Sequence, residues 1–312
     1  MAQTTTQNHN GLEQPLFCSG FVTLIGRPNA GKSTLINAVM GKKLAITSNT
    51  PQTTRHRFRA VLHAEDYQLI LVDTPGIHKP HDVLGEELNR SAQKAVESVD
   101  VICFVLDATK PFGTGDEWIL NSIKGLSTPK ILVVSKIDLA DEQTIAAQID
   151  AACAFAQFDQ VITLSALNGT HLDDFISTAV SYLPPGPPWF PADVTTDQPL
   201  EVIIAEFIRE KVLTSTFDEV PHAIGVQVEE LTYDKKKGLY AIYATIFVER
   251  SSQKGILIGA QGEKIKQIGT LARKDLQDFL GARVFLELRV KLRKGWRKDA
   301  TQIRRFGYGE GA

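Results

Sequence analysis

Residues 26–33 read G-R-P-N-A-G-K-S, the spacing with which a chain wraps main-chain N–H groups around phosphates at the start of a helix. In that chemistry Gly26, Arg27, Pro28, Asn29, Ala30, Gly31 and Thr34 form the cradle, Lys32 reaches the β- and γ-phosphates, and the Ser33 hydroxyl ligates Mg2+. The strand-like run at 21–26 and a helical pattern at 32–40 supply the strand, turn and helix that the motif requires.

Four further signals follow in a fixed order. T-P-Q-T-T-R at 50–55 offers a threonine for a mobile loop that closes on Mg2+. D-T-P-G at 73–76 ends an apolar run, where the Asp73 carboxylate would hold Mg2+ through water and the Gly76 N–H would approach the γ-phosphate. S-K-I-D at 135–138 and S-A-L-N-G at 165–169 close two more strand-like runs. Asp138 can accept from both N1–H and the N2 amino group of guanine, whereas adenine would leave the carboxylate unpaired. The Lys136 stem can lie over the base, and Ser165, Ala166 and Leu167 form the segment whose backbone N–H would meet guanine O6. The ordered set implies GTP and GDP as ligands and GTP hydrolysis as the reaction, with Lys32, Gly76 and Asn29 as its catalytic candidates and Ser33, Asp73 and a threonine of 50–55 as its metal candidates.

Two positions qualify this expectation. Ile77 follows Gly76 where a glutamine would orient the attacking water. An apolar side chain cannot do so, which implies slow intrinsic hydrolysis and a packing role for Ile77 in a mobile loop. Asn29 offers an oxygen beside the phosphates, either for a monovalent cation such as K+ or for a loop-stabilising hydrogen bond, and both assignments stay open. Ser135 stands where an asparagine would donate toward guanine N7 and also tie neighbouring loops; the shorter serine is expected to lose one of these contacts.

These residues must be positioned by alternating elements. Strand-like runs at 21–26, 60–64, 67–72, 101–106, 130–134 and 161–164 alternate with helical patterns near 32–40, 85–97, 116–124, 141–156 and 171–182. That alternation implies a mostly parallel α/β sheet with helices on both faces. Only Glu65 and Asp66 separate the second and third runs, which implies a hairpin and an antiparallel edge. L-P-P-G-P-P-W-F-P at 183–191 has too many prolines for helix or sheet ladders and reads as an extended linker. Beyond it, a helix at 199–213, strands at 222–231 and 239–248, a helix at 262–280 and a strand at 283–292 describe a small α+β domain. The division is a polar, flexible extension at 1–16, a nucleotide domain at 17–183, a linker at 184–198 and the second domain at 199–312.

Composition narrows the class. The 312 residues are 43% apolar, enough for two cores. Three scattered cysteines, Cys18, Cys103 and Cys153, make neither a disulfide framework nor a zinc site and fit a reducing compartment. No apolar run reaches the roughly 18–20 residues that span a bilayer, and the first fifteen residues, lacking Lys and Arg, do not read as a signal peptide. A soluble, cytoplasmic chain is expected. The net charge of −2 conceals fifteen Lys/Arg against five Asp/Glu between Arg250 and Tyr308, an excess of +10 balanced by −12 elsewhere. Such an end suits a polyanion.

G-A-Q-G at 259–262 lies in that basic stretch, between I-L-I and a helical pattern. Two glycines at this spacing are cheap, with about 1.7 chance matches in such a composition; the setting gives the motif its weight. A G-x-x-G turn opening a helix is how KH modules clamp single-stranded nucleic acid. Gly259, Ala260, Gln261 and Gly262 would form the clamp, with Lys254, Lys264, Arg293 and Lys294 directed at phosphates. Ile256, Ile258 and Ile265 are candidates for base support, with core packing as the competing assignment.

Together, G-R-P-N-A-G-K-S, P-Q-T-T-R-H-R, D-T-P-G-I-H-K-P, L-P-P-G-P and E-R-S-S-Q-K-G-I-L-I-G-A-Q-G-E-K-I-K-Q-I-G resemble the Era family of ribosome-associated GTPases, from about 17 to 296. The resemblance implies an α/β P-loop GTPase domain followed by a type II KH domain, and Thr54 rather than Thr53 as the Mg2+ ligand. It also implies recognition of the single-stranded 3′ end of 16S rRNA, a role in maturing the small ribosomal subunit, a monomer, and peripheral contact with the inner membrane. Competing readings are an RNA-binding assembly module with a degenerate nucleotide site and a membrane-linked cell-cycle switch. Intact Lys32, Ser33, Asp73 and Asp138 weigh against degeneracy. One neutral hydrogen bond is worth about 0.5–1.5 kcal/mol, so Ser135→Asn is expected to tighten GDP binding roughly 2- to 13-fold by calorimetry; unchanged binding would contradict the assigned contact.

Overall fold

The computed structural model describes residues 16–48, 50, 53–76, 82–217 and 220–308. The 1–16 extension thus falls almost wholly outside the described residues, as does Ile77. The chain divides into two compact units, one holding 57–78 and 92–197 with the N-terminal residues to 44, the other holding 198–312 with stretches 45–56 and 79–91.

The first unit is built on β1 (Cys18–Ile25), β2 (Phe58–His63), β3 (Tyr67–Asp73), β4 (Val101–Asp107), β5 (Lys130–Ser135) and β6 (Gln160–Leu164), in the order β2-β3-β1-β4-β5-β6. All neighbours are parallel except the β2–β3 pair. The central runs are the most apolar because a sheet covered on both faces buries both sides of its inner strands; all seven residues of β4 are buried. The helices are α1 (Lys32–Met40), α2 (Val83–Glu97), α3 (Thr114–Ile123), α4 (Glu142–Phe155) and α5 (Leu172–Ser181). The end of α2 with α3 and α4 covers one face, where Ala92, Val96, Ile119, Ile123 and Ala152 meet Ile102, Phe104, Leu132 and Val134. On α1 and α5, the buried faces are Leu35, Ile36 and Val39, and Phe175 and Ala179. The expected two-residue hairpin is longer by one: Ala64, Glu65 and Asp66 all lie between the strands, and the Ala64 N–H donates to Tyr67 O at 2.9 Å.

The proline-rich stretch does not hang between units. It runs along the β2 edge, where an unpaired strand would otherwise expose its backbone. Ala60 bridges to Thr196 and Cys18 to Pro185, and Val61 N–H donates to Thr195 O at 3.0 Å. Arg59 pairs with Asp197 at 2.9 Å. No ladder forms, only isolated bridges, and the non-proline positions carry most of the N–H groups and carbonyls that dock. Gln68, fully buried, fastens the segment, its Oε1 accepting from Trp189 N at 2.7 Å and Phe190 N at 3.0 Å while Nε2 donates to Phe190 O at 2.8 Å.

The second unit follows the order α6 (Leu200–Ser215), β7 (Gly225–Asp234), β8 (Leu239–Val248), α7 (Ser251–Ile258), α8 (Glu263–Leu280) and β9 (Arg283–Leu292), with α9 (Ala300–Arg305) after it. β7 and β8 are antiparallel, β8 and β9 parallel. A parallel neighbour requires a crossover, which α7 and α8 provide. Ile204, Phe207 and Ile208 of α6 pack with Leu257, Ile268, Ala272 and Leu276 over Ile242, Ala244 and Ile246. The stretch before Arg57 is built into this unit. Arg55 Nη1 donates to Ile224 O at 2.5 Å and its guanidinium lies 5.3 Å from the Tyr308 ring centre. Thr47 N–H donates to Glu210 at 2.9 Å, and Arg209 donates to Thr53 O and pairs with Glu206. At the start of α2, Leu84 and Leu88 pack with Trp296, Ile303 and Phe306.

Because Gln68 satisfies three main-chain groups of the docked stretch, Gln68→Leu is expected to lower stability by about 2 kcal/mol in urea unfolding and to speed proteolysis within 184–197. A change under about 0.5 kcal/mol, with proteolysis unaltered, would show that the stretch docks without it.

Candidate functional site

The phosphate-loop motif sits between β1 and α1, as its chemistry requires. Asn29 and Gly31 adopt left-handed backbone, with φ of 65° and 98°, and between them the Ala30 N–H donates to Arg27 O at 3.2 Å. Lys32 is buried, and its Nζ donates to the carbonyls of Gly26 and Arg27, both at 2.9 Å. Burial lowers its pKa to about 8, against the opposing pull of Asp73. The ammonium is thus folded back on its own loop, a charge without a full counter-ion, which a polyphosphate would supply.

Ser33 and Asp73 come together, Ser33 Oγ donating to Asp73 Oδ2 at 3.0 Å. A hydroxyl and a buried carboxylate converging beside a phosphate cradle are hard oxygen donors suited to Mg2+. Thr74 Oγ1 donates to Leu24 O at 2.9 Å and holds the end of β3 against β1. A Cβ on Gly76 would lie 3.1 Å from Pro28 backbone atoms, so a larger residue would have to push the phosphate loop back by a few tenths of an ångström. Thr54 is half-buried and belongs to the second unit.

On the base side, the sequence expected Ser135 to lose one contact; the structure places its hydroxyl on the loops. Ser135 Oγ is buried and lies 2.6 Å from Ala30 O and 3.1 Å from Leu106 O, so its proton fastens β5 to the phosphate loop and β4. Lys136, at φ 61°, donates to Asn29 O at 2.7 Å and to Asp107 at 2.6 Å. Asp138 follows in a short exposed turn. Ser165 is buried, bridges to Thr170 and accepts from Asn168 N–H at 3.2 Å, which leaves Ala166 half-buried and Leu167 76% exposed at the turn.

Asp107 and Asp116 were missed by the sequence reading. Asp107 ends β4 as Asp73 ends β3, a strand-end carboxylate that the sequence displays. Burial raises its pKa, but hydrogen bonds from Lys136 and Thr109 prevail and hold it below the ordinary carboxylate range. Asp116, on α3, pairs with Arg27 at 3.1 Å across 89 residues, and no local pattern announces that partner. Arg27, Asp107, Lys110 and Asp116 line a small cavity beside the loop.

In the second unit, the G-x-x-G turn joins α7 to α8. Gly259 has φ 72°, and a Cβ there would strike that of Lys264 at 2.7 Å. Gln261 and Gly262 also have positive φ, 48° and 82°. Helix α7 was not expected; Gly255 and the β-branched isoleucines hide a helical repeat that buries Leu257. Ile256 is exposed on it, Ile258 half-buried, and Ile265 packs at the margin of the core. Lys254 and Ala260 are exposed and Lys264 half-buried at the turn. Lys294 is exposed, whereas Arg293 lies over the Phe247 ring at 4.7 Å.

The lowered pKa of Lys32 sets a sign. Below about 8 the lysine is charged and ready for phosphate; above it the unliganded protein holds a neutral amine and must take up a proton on binding. The GDP dissociation constant is therefore expected to rise with pH above 8, by up to about tenfold per unit, and to lose that rise in Lys32→Ala. Equal slopes in the two proteins would assign the titration elsewhere.

The family described as 50S ribosome-binding GTPase matches residues 21–136, and the KH domain family matches 219–297. A solved structure of Era with MgGDPNP and nucleotides 1506–1542 of 16S ribosomal RNA is 39% identical, with a TM-score of 0.90, over 94% of this chain and 99% of that one. Aquifex aeolicus Era, as a variant bound to GDP.AlF4−, gives the same identity and TM-score over 94% of this chain and all of that one. With the phosphate loop, the base-side loops and the G-x-x-G turn in place, and such likeness over both units, the chain belongs to the Era family of GTPases.

Proposed function

We propose that this chain hydrolyses GTP at the β1–α1 loop and uses its G-x-x-G turn to bind the single-stranded 3′ end of 16S rRNA, acting in assembly of the small ribosomal subunit. The observation that carries this reading is that one relative, alike over both units, was solved with a magnesium-bound GTP analogue and that RNA segment. The description of the matching GTPase family names the large subunit. It covers only part of the first unit, so the RNA of the relative alike over both units decides our choice.

In the proposed reaction, main-chain N–H groups of 27–33 and the Lys32 ammonium take up charge on the β- and γ-phosphates. Lys32 exchanges its carbonyl partners for phosphate oxygens. Ser33 and Asp73 would hold Mg2+, with Thr54 as the third candidate ligand, and the ion supplies charge neutralisation when bound. The Gly76 N–H would meet the γ-phosphate, and Asn29 lies beside it, where K+ remains a test rather than a requirement. Asp138 reads guanine, Lys136 covers it, and the Ser165–Leu167 backbone borders it. Turnover is slow on this reading because no glutamine follows Gly76.

Gly259 to Gly262 would clamp the RNA backbone at the start of α8, with Lys254, Lys264 and Lys294 toward phosphates, Arg293 beside them, and Ile256, Ile258 and Ile265 toward bases. We take the protein to be a cytoplasmic monomer. No described helix is long and apolar enough to cross a membrane, and contact with the inner membrane would have to use the basic C-terminal surface.

Crosslinking in cells, with protein held in its GTP form, tests the proposal. Reads are expected to concentrate at the 16S rRNA 3′ end, and purified protein is expected to release phosphate from GTP but not ATP. Reads spread evenly over cellular RNA would overturn the RNA assignment, and absent GTP turnover the enzymatic one.

A further inference from the structure

The β7–β8 hairpin tip, Lys235 to Gly238, is not used by the nucleotide site or the G-x-x-G clamp. Three consecutive lysines stand there, all exposed. The turn itself does not need them. Asp234 Oδ1 accepts from the N–H groups of Lys236 and Lys237 at 3.0 and 3.1 Å, and Gly238 takes the left-handed position at φ 57°. The side chains add mutually repelling charge, and only Lys237 pairs, with Asp234 at 3.5 Å. Arg283, at the start of β9, is exposed and donates to Lys237 O. Asp234 is the one carboxylate within the tip, against Lys235, Lys236 and Lys237.

An aromatic pair adjoins these cations. Tyr233 stacks on Tyr240 with ring centres 4.4 Å apart and planes at 28°, and Tyr233 is 46% exposed. A tyrosine held flat by a second ring and flanked by cations is a platform for a nucleic-acid base, because stacking tolerates any base while lysines follow the backbone. The position matters equally. The clamp lies at the N-terminus of α8 and the tip beside its C-terminus, and 18 residues of helix separate them by about 27 Å. Lys266, Arg273 and Lys274 are exposed along α8 between the two ends. A KH clamp holds only about four nucleotides, so a longer strand leaves it over this basic face.

We infer that the hairpin tip, with Tyr233 and Lys235 to Lys237, is a second single-stranded RNA contact that receives the strand flanking the clamped nucleotides. It rests on the RNA-binding reading above. The test is fluorescence anisotropy of the full chain with a short RNA that fills the clamp and a single strand about 20 nucleotides long containing the same segment. Lys235→Gln with Lys236→Gln and Lys237→Gln is expected to weaken the long RNA about tenfold and, at about 0.7 per lost phosphate contact, to lower its salt slope by about 2. Binding of the short RNA should stay within about twofold, which also verifies folding. Tyr233→Leu should weaken the long single strand severalfold but not a long RNA whose flank is duplex. If the triple variant binds long RNA as the wild type does, the second contact is overturned while clamp binding stands. Equal losses on single-stranded and duplex flanks from Tyr233→Leu would overturn the stacking role. If Ala260→Asp with Gln261→Asp leaves both RNAs bound normally, the clamp reading fails, and this inference with it.

Discussion

The attachment of the base-side loop to the phosphate loop is the contact on which the nucleotide site depends. Ser135 Oγ reaches Ala30 O at 2.6 Å and Lys136 Nζ reaches Asn29 O at 2.7 Å, so two adjacent residues at the end of β5 grip two adjacent carbonyls of the cradle. A phosphate loop presents its N–H groups inward, so its carbonyls point away and need partners elsewhere. Ser135 and Lys136 supply those partners, and Asp107 steadies the lysine from the neighbouring strand. The base-side loop and the phosphate cradle are thereby tied together by one set of hydrogen bonds.

The charges in this region are arranged for a polyanion. Lys32 is buried against carbonyl dipoles at a cost visible in its lowered pKa, and Arg27 is held by Asp116. A buried cation such as Lys32 destabilises the empty site and gains from a bound phosphate. A different solution appears in the second unit. There Glu206 is held below the ordinary carboxylate range, because Arg209 and His56 outweigh its burial, and both charges of the ion pair come from the unit itself. One cluster awaits a ligand; the other is a structural part of its unit.

Much of this was legible in the sequence because it is local. The strands and helices around the phosphate loop are coded by apolar runs and by glycines at fixed spacing, and α8 and β9 follow from uninterrupted patterns. Contacts distant in sequence were not legible. Asp116 meets Arg27 across 89 residues, and Arg55 and His56 enter the second unit although they precede β2. The role of Ser135 was half legible: its shortness was plain, but only the structure shows that its one proton goes to the loops. That the proline-rich stretch docks was not legible, because proline's missing N–H says nothing of its neighbours' backbone groups. Helix α7 was hidden by Gly255 and its isoleucines.

On the function proposed above, fastening the loop and reading the base are separate tasks, Ser135 and Lys136 doing the first and Asp138 the second. A competition titration of Asp138→Asn with GDP and XDP tests this most directly, because an amide at that position would donate to the extra oxygen of xanthine and lose its acceptor role toward guanine. Preference is expected to reverse from GDP to XDP with the phosphate loop still competent. Retained preference for GDP would contradict it and would place base recognition elsewhere.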